Sequence, residues 1–268
     1  MEEKLEGNLI VIGGAEDKKG DKSILKEVCN KLDKDNDVLV IATIASQVPD
    51  QLGSEYNSIF KNLGIKNIKI LNIEKREDAY KEECIEKIKN ASLVFFTGGD
   101  QLRITSLIGG TPLCLKINEL YEKGCIFVGT SAGASVMSET MIVTGPDDES
   151  PKKCTLKMAP GLGLIKGVII DQHFAQRGRI GRLLVGIAEN PESLGIGIDE
   201  DTAIVIKDSG EFKVIGSGAV YVIDGSNISY SNVSEQHPEE VLSIFDVKLH
   251  VLKDGNKFNI INRLPQSN

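Results

Sequence analysis

The sequence predicts an α/β protein: a doubly wound, mostly parallel sheet with an antiparallel C-terminal extension. Two observations carry this. Short, continuously apolar runs that end at glycine alternate through the first half with amphipathic stretches of helical period, the pattern of a parallel sheet covered by helices on both faces. From about residue 195 onward most segments read as strands, which adds antiparallel structure. No linker-like composition, repeat or low-complexity stretch divides the 268 residues, so one domain over residues 1–268 is expected, β-rich from about 195.

Leu9-Ile10-Val11-Ile12 reads as a buried strand ending at Gly13-Gly14, and a helix follows with Ile24, Leu25, Val28 and Leu32 on one face. Val38 to Ala42 is the next strand, then a helix from about Asp50 to Leu63. Ile68 to Ile73 and Leu93 to Phe96 are further strands, separated by a charged helix around Cys84 to Ile88. A helix from Leu113 to Tyr121 leads to the strand Cys125 to Val128. Past Ser150 come a strand over Ile165 to Ile170, a helix over Ile180 to Ala188, strands over Thr202 to Ile206 and Ala219 to Ile223, and a hairpin about Asp254-Gly255.

The net charge of −8 argues against a nucleic-acid or anionic-membrane binder, since both need a basic face. Five scattered cysteines without a C-x-x-C suggest neither a disulfide framework nor a zinc site, and no metal is expected. The stretch Met1 to Glu6 is rich in charge and lacks a signal-peptide core, and no apolar run approaches membrane-spanning length, so a cytoplasmic setting is expected. Gly13-Gly14-Ala15-Glu16 lacks the third glycine of a dinucleotide fingerprint, and no cofactor is expected.

Gly129-Thr130-Ser131-Ala132-Gly133 sits between the apolar run ending at Val128 and a helical stretch through Met137. A strand running into G-x-S-x-G and then a helix is the sequence form of a nucleophile elbow, in which the turn lifts the serine Oγ out of the sheet. The helix behind it directs N–H groups and a positive dipole end to the same spot. The competing reading is a small polar loop. Thr97-Gly98-Gly99-Asp100-Gln101 follows the Leu93 to Phe96 strand and reads in two ways. Bare N–H groups there suit an oxyanion hole, with the Gln101 amide beside it; a tight turn with a helix cap at Asp100 fits equally.

A serine nucleophile needs a base. Of the three histidines, His237 lies in a polar loop and His250 in a C-terminal strand, whereas His173 directly follows a strand, which is expected to place it on the carboxyl edge it shares with Ser131. The orienting acid is sought in Asp199-Glu200-Asp201. If the strand is regular there, Glu200 shares the parity of Ile196, Ile198 and Ile204 and points with the apolar side; an acidic turn in water is the alternative. Arg177, Arg179 and Arg182 cluster at a helix start in an acidic protein, where positive charge opposes the macrodipole. A carboxylate-binding patch and pairing with the protein's own acids both account for them.

Taken together, Gly129 to Ser135, Phe96 to Gln101, Asp171-Gln172-His173-Phe174 with the three arginines, and Asp199 to Ala203 resemble the cyanophycinase family, from the first strand to about residue 225. That family is similar to the Asp-X dipeptidases and, more distantly, to class I glutamine amidotransferase domains, which implies a flavodoxin-like sheet. The resemblance implies a serine exopeptidase that cuts cyanophycin, a polyaspartate bearing arginine on each β-carboxyl, into β-aspartyl-arginine dipeptides without a cofactor. It implies Ser131 as nucleophile, His173 as base and Glu200 as its partner. Gln101, Asp171, Gln172, Arg177, Arg179 and Arg182 would bind substrate, with N–H groups near Gly99 and Ala132 holding the oxyanion. A homodimer is also implied. An α-aspartyl dipeptidase and a non-catalytic cyanophycin-binding relative are the alternatives, and nothing distinctive is legible beyond about residue 225.

Overall fold

The computed structural model describes residues 8–147, 149–234 and 240–266. Five parallel strands form the heart of a nine-stranded sheet: β1 (Leu9–Ile12), β2 (Val38–Ala42), β3 (Asn67–Leu71), β4 (Leu93–Phe96) and β5 (Ile126–Thr130). They lie in the order β1-β5-β4-β2-β3, so β1 and β5 are parallel neighbours with Ile12 opposite Thr130. The groups that follow these two strands therefore emerge side by side, at the carboxyl edge where such sheets bind ligands.

The continuous apolar runs are explained by burial on both faces. Leu9 and Val11 of β1, Val40 of β2 and Val94 and Phe96 of β4 face one layer; Ile10, Ile12, Leu39, Ile41, Leu93 and Phe95 face the other, as alternation along a strand requires. The second layer is closed by α1 (Ser23–Asn30) and α2 (Pro49–Asn62), through Leu25, Val28, Tyr56 and Phe60. The first is closed by α3 (Glu82–Ile88), α4 (Gln101–Ile108) and α5 (Pro112–Glu122). Helix α4 starts at the cap that one of the two readings places at Asp100, which accepts the N–H of Leu102 at 2.8 Å.

The second half supplies the expected antiparallel strands and, beyond that expectation, divides them between two sheets. After the one-turn helix α6 (Ala132–Ser135) and the hairpin of β6 (Thr140–Thr144) and β7 (Lys157–Pro160), the chain builds a separate four-stranded sheet. This contains β8 (Val168–Gln172) and β9 (Leu194–Ile198), parallel to one another and linked by α7 (Ile180–Glu189). Strand β8 lies slightly later than the expected Ile165 to Ile170. The chain then returns to the first sheet as β10 (Thr202–Ile206), antiparallel to β1, and β11 (Glu211–Gly216). It crosses again to pair β12 (Val220–Asp224) with β9. Ile170, Ile196, Ile198, Val220 and Val222 share one core with β1 and β4, so the two sheets pack together.

The segments beyond residue 225 complete both sheets. After the short pair β13 (Tyr230–Ser231) and β14 (Ile244–Phe245), β15 (Lys248–Leu252) adds to β12. Strands β16 (Lys257–Asn259) and β17 (Leu264–Gln266) extend β11 at the edge of the first sheet. The hairpin expected about Asp254-Gly255 is thus corrected. Gly255 does turn the chain, with φ 81°, but its N–H bonds to Val214 and the flanking strands part into different sheets. The cysteines are free, and burial pushes the Cys29 and Cys125 thiols up to about 12. Among the described residues no helix is long and apolar enough to cross a membrane.

Candidate active site

Ser131 stands between β5 and α6 with φ 54° and ψ −114°, a strained conformation for a residue with a side chain. The glycines on either side make the turn possible: a Cβ on Gly129 would strike the Gly133 carbonyl, and one on Gly133 the Phe96 backbone. Helix α6 is a single turn, so what it brings to the serine is local N–H groups more than a long dipole. The Thr97–Gln101 turn lies against Ser131, close enough that a Cβ on Gly98 would sit 3.8 Å from Oγ. Neither the Gly99 N–H nor the Ala132 N–H has a hydrogen-bond partner among the described residues.

His173 comes from the end of β8 in the second sheet, facing the edge that carries Ser131 rather than sharing its sheet. Its Nε2 is 2.9 Å from Ser131 Oγ and its Nδ1 is 2.6 Å from Glu200 Oε1. Burial pushes the imidazole pKa below its ordinary value. The Glu200 hydrogen bond pushes it back up, and the charges of Arg177 and Arg179 push it down. The net direction favours neutral imidazole near pH 7, able to accept a proton. His250 lies on β15 beside Phe258, and His237 lies outside the described residues.

Glu200 reaches His173 by a route that strand parity does not describe. Strand β9 ends at Ile198 and β10 starts at Thr202, so residues 199–201 are the corner where the chain passes between sheets. Asp199 is the buried acid, accepting from the N–H groups of Ala175 and Ala219 at 2.9 and 3.0 Å. Asp201 accepts from the Asp17 N–H and the Ser217 hydroxyl. These flanking acids pin the corner and leave Glu200, half-buried, to face the imidazole. Gln176 Oε1 holds the Glu200 N–H at 3.0 Å.

The arginines divide. Arg182 is buried and grips Asp171 through two nitrogens, with Nε to Oδ2 at 2.6 Å, and Asp171 is itself 1% exposed. Arg179, also buried, donates to the Gln172 carbonyl at 2.7 Å and to Asp147 at 2.8 Å. Burial disfavours the Asp147 carboxylate, but Arg179, Arg182 and Arg177 outweigh it and hold its pKa below the usual range. Pairing with the protein's own acids therefore accounts for two of the three. Arg177 is exposed. Gln172 Oε1 lies 3.5 Å from Ser131 Oγ. Gln101 is buried, with Nε2 directed to the Ile142 and Val143 carbonyls at 2.8 and 3.0 Å.

Sequence reasoning missed the turn after β1. His173 N–H donates to the Gly13 carbonyl, and Asp201 N–H to the Gly14 carbonyl. The buried Glu16 carboxylate accepts from Thr130 Oγ1, at 2.6 Å, and from the Tyr56 hydroxyl. Paired glycines at the end of a strand are the signal available in the sequence, and as an incomplete nucleotide fingerprint they point away from this role.

The sheet is that of a mixed α/β protein, and the chain is a hydrolase. The chain belongs to peptidase family S51, whose model matches residues 9–214. It is 39% identical to the cyanophycinase of Geminocystis herdmanii over 260 residues, covering 97% of this chain and 96% of that one. It is 38% identical to the cyanophycinase of Synechococcus elongatus over 255 residues, covering 95% and 79%. In fold it is similar to the crystal structure of a peptidase from an acI-B1 Actinobacterium, with a TM-score of 0.65, 24% identity and coverage of 95% and 98%.

Proposed function

We propose that this peptidase hydrolyses cyanophycin as a serine exopeptidase, releasing β-aspartyl-arginine dipeptides through an acyl-enzyme on Ser131. The observation that carries the reading is the unbroken hydrogen-bonded chain from Ser131 through His173 to Glu200, together with the cyanophycinases that match nearly the whole chain. Neutral His173 takes the Ser131 proton at Nε2 as Oγ attacks the scissile carbonyl, and then gives it to the leaving amine. Glu200 fixes the tautomer through Nδ1 and stabilises the imidazolium. The N–H groups of Gly99 and Ala132 receive the oxyanion, and each such donor is worth about 3 kcal/mol in the transition state. Water then hydrolyses the acyl-enzyme by the reverse route.

For substrate binding the reading is unequal among the residues. Arg177, exposed beside the site, takes a substrate carboxylate, and Gln172 and the Gln101 Oε1 complete the polar wall. Asp171, Arg179 and Arg182 act from behind the site by holding one another and the Gln172 carbonyl. The reading carries with it a homodimer, as the resemblance implies, in a cytoplasmic setting. Incubation with insoluble cyanophycin and, separately, with α-aspartyl dipeptides tests it, with products identified by mass spectrometry. Release of β-aspartyl-arginine from the polymer with little dipeptide cleavage is expected; cleavage of the dipeptides alone would replace it with an aspartyl dipeptidase.

A further inference from the structure

The end of β1 and the turn at residues 13–16 hold the backbone of Ser131, of His173 and of the neighbour of Glu200. Ser131 N–H donates to the Ile12 carbonyl at 3.1 Å, His173 N–H to Gly13 at 2.8 Å and Asp201 N–H, next to Glu200, to Gly14 at 2.9 Å. Of the eight non-glycine residues with positive φ among the described residues, four meet here: Ala15, Ser131, His173 and Asp201. Strained conformations of this kind persist only where their surroundings over-determine them. Something must therefore fix the turn itself.

Beside the Asp17 N–H bond to Asp201, the Glu16 side chain is placed to do so. It is 4% exposed, and both carboxylate oxygens are committed inside the protein. Oε2 accepts from the hydroxyl of Thr130, the residue preceding Ser131, and Oε1 accepts from the hydroxyl of Tyr56 on α2. Burial pushes the Tyr56 pKa well up, and the Glu16 charge pushes it further, so the phenol keeps its proton and donates. Hydrogen bonds to a charged acceptor are among the stronger and more directional ones. With neither oxygen turned to the substrate side, Glu16 is not a reacting group.

We propose that Glu16 is a positioning residue for the nucleophile. Its carboxylate clamps Thr130 and the turn at residues 13–16 into one unit, which holds Ser131 Oγ at hydrogen-bond distance from His173. This rests on Ser131 being the nucleophile. Without the clamp the elbow relaxes toward less strained backbone angles, and Oγ leaves the line between imidazole and carbonyl. Displacements of about 1 Å cost on the order of 100-fold in rate.

The test is the rate at which a serine-directed phosphonylating reagent labels Ser131, measured beside kcat, KM and Tm in Glu16→Gln, Thr130→Val and Tyr56→Phe. Glu16→Gln and Thr130→Val are expected to slow labelling and lower kcat by about 10- to 100-fold, with KM within about threefold. Thr130→Ser, which keeps the hydroxyl, is expected to recover most of the loss. Because the two residues act as one clamp, the double variant should be no slower than the slower single one. Wild-type labelling in folded Glu16→Gln and Thr130→Val overturns the proposal, as does a loss of rate that merely follows Tm and returns on cooling. If Glu16→Gln does not fold, Thr130→Val decides alone: a wild-type labelling rate overturns the proposal and a slowed one supports it. Full activity in Ser131→Ala is a distinguishable result, which overturns the nucleophile reading and this proposal with it.

Discussion

Gly14 lies flat against the imidazole of His173. A Cβ built on it would sit 2.5 Å from Nε2 and 3.1 Å from Nδ1, and its φ of 99° is one that residues with a side chain rarely adopt. The ring cannot retreat without breaking its bonds to Ser131 or Glu200, so the empty space over Gly14 is the space the imidazole occupies.

Gly14→Ala should therefore act on the base. Strain at the positive φ is expected to cost about 1 kcal/mol or more of stability, a small change in Tm. Displacement of the ring is expected to lower kcat/KM by about 100-fold. Steady-state kinetics beside a thermal melt separates the two effects. Activity within a few-fold of wild type in the folded variant would show that His173 is not held where the base must be.

The catalytic set makes a second prediction. Ser131→Ala and His173→Ala should each lower kcat by roughly 10⁴-fold or more, and the double variant should be no worse than either, since members of one proton-transfer unit are not additive. Glu200→Gln keeps nucleophile and base and should be milder. Turnover of the polymer measures all four. Retained activity in His173→Ala, with loss in His250→Ala or His237→Ala, would move the base elsewhere.

Much of this was legible because it was local. Strands β1, β2, β4 and β5 read as apolar runs since both their faces are buried, and the strand-to-helix setting of Ser131 is written in adjacent residues. Sheet membership was not local. Nothing in Val168 to Gln172 says that it leaves the first sheet, and Asp254-Gly255 looks the same whether its flanking strands pair or part. Glu200 lies against His173, but not by strand parity, which does not survive the corner at residues 199–201. Asp171 and Arg182 sit eleven positions apart; pairing of the arginines with the protein's own acids is one of two readings open in the sequence, and nothing there singles out Asp171 as the acid.

The pH dependence supplies a third prediction. The base must be neutral, so kcat/KM should be full above the His173 pKa and fall as pH drops through it. Burial first, then Arg177 and Arg179, lower that pKa against the upward pull of Glu200, which sets the acid limb below the ordinary histidine value of about 6.5. Arg177→Gln removes a charge that opposes the imidazolium and should move the limb to higher pH. Glu200→Gln removes the group that favours the imidazolium and should move it to lower pH. Profiles of kcat/KM for the three proteins check both directions, and shifts of the opposite sign would mean that another group sets the limb.

The three arginines should fail in different ways, which is the last prediction. Arg182 and Asp171 form a buried pair, and removing one member of such a pair leaves the other charge stranded at a cost of about 3–5 kcal/mol. Arg182→Ala and Asp171→Ala should therefore lower Tm sharply and lose activity through loss of fold. Arg179→Ala should fall between, since it also frees the Gln172 carbonyl next to His173. Arg177 is exposed, so Arg177→Ala should leave Tm nearly unchanged. It should nevertheless lower kcat/KM on the polymer about tenfold or more, from roughly 1.5–3 kcal/mol for a hydrogen bond to a charged group. Arg177→Lys should recover little, because an ammonium does not reproduce the planar fork. A polymer whose terminal carboxylate is amidated should be a poor substrate for the wild type and no worse for Arg177→Ala. Thermal melts and kcat/KM on both substrates decide the matter: unchanged kcat/KM in Arg177→Ala removes it from the site, and an unchanged Tm in Arg182→Ala makes the buried pair available to the substrate after all.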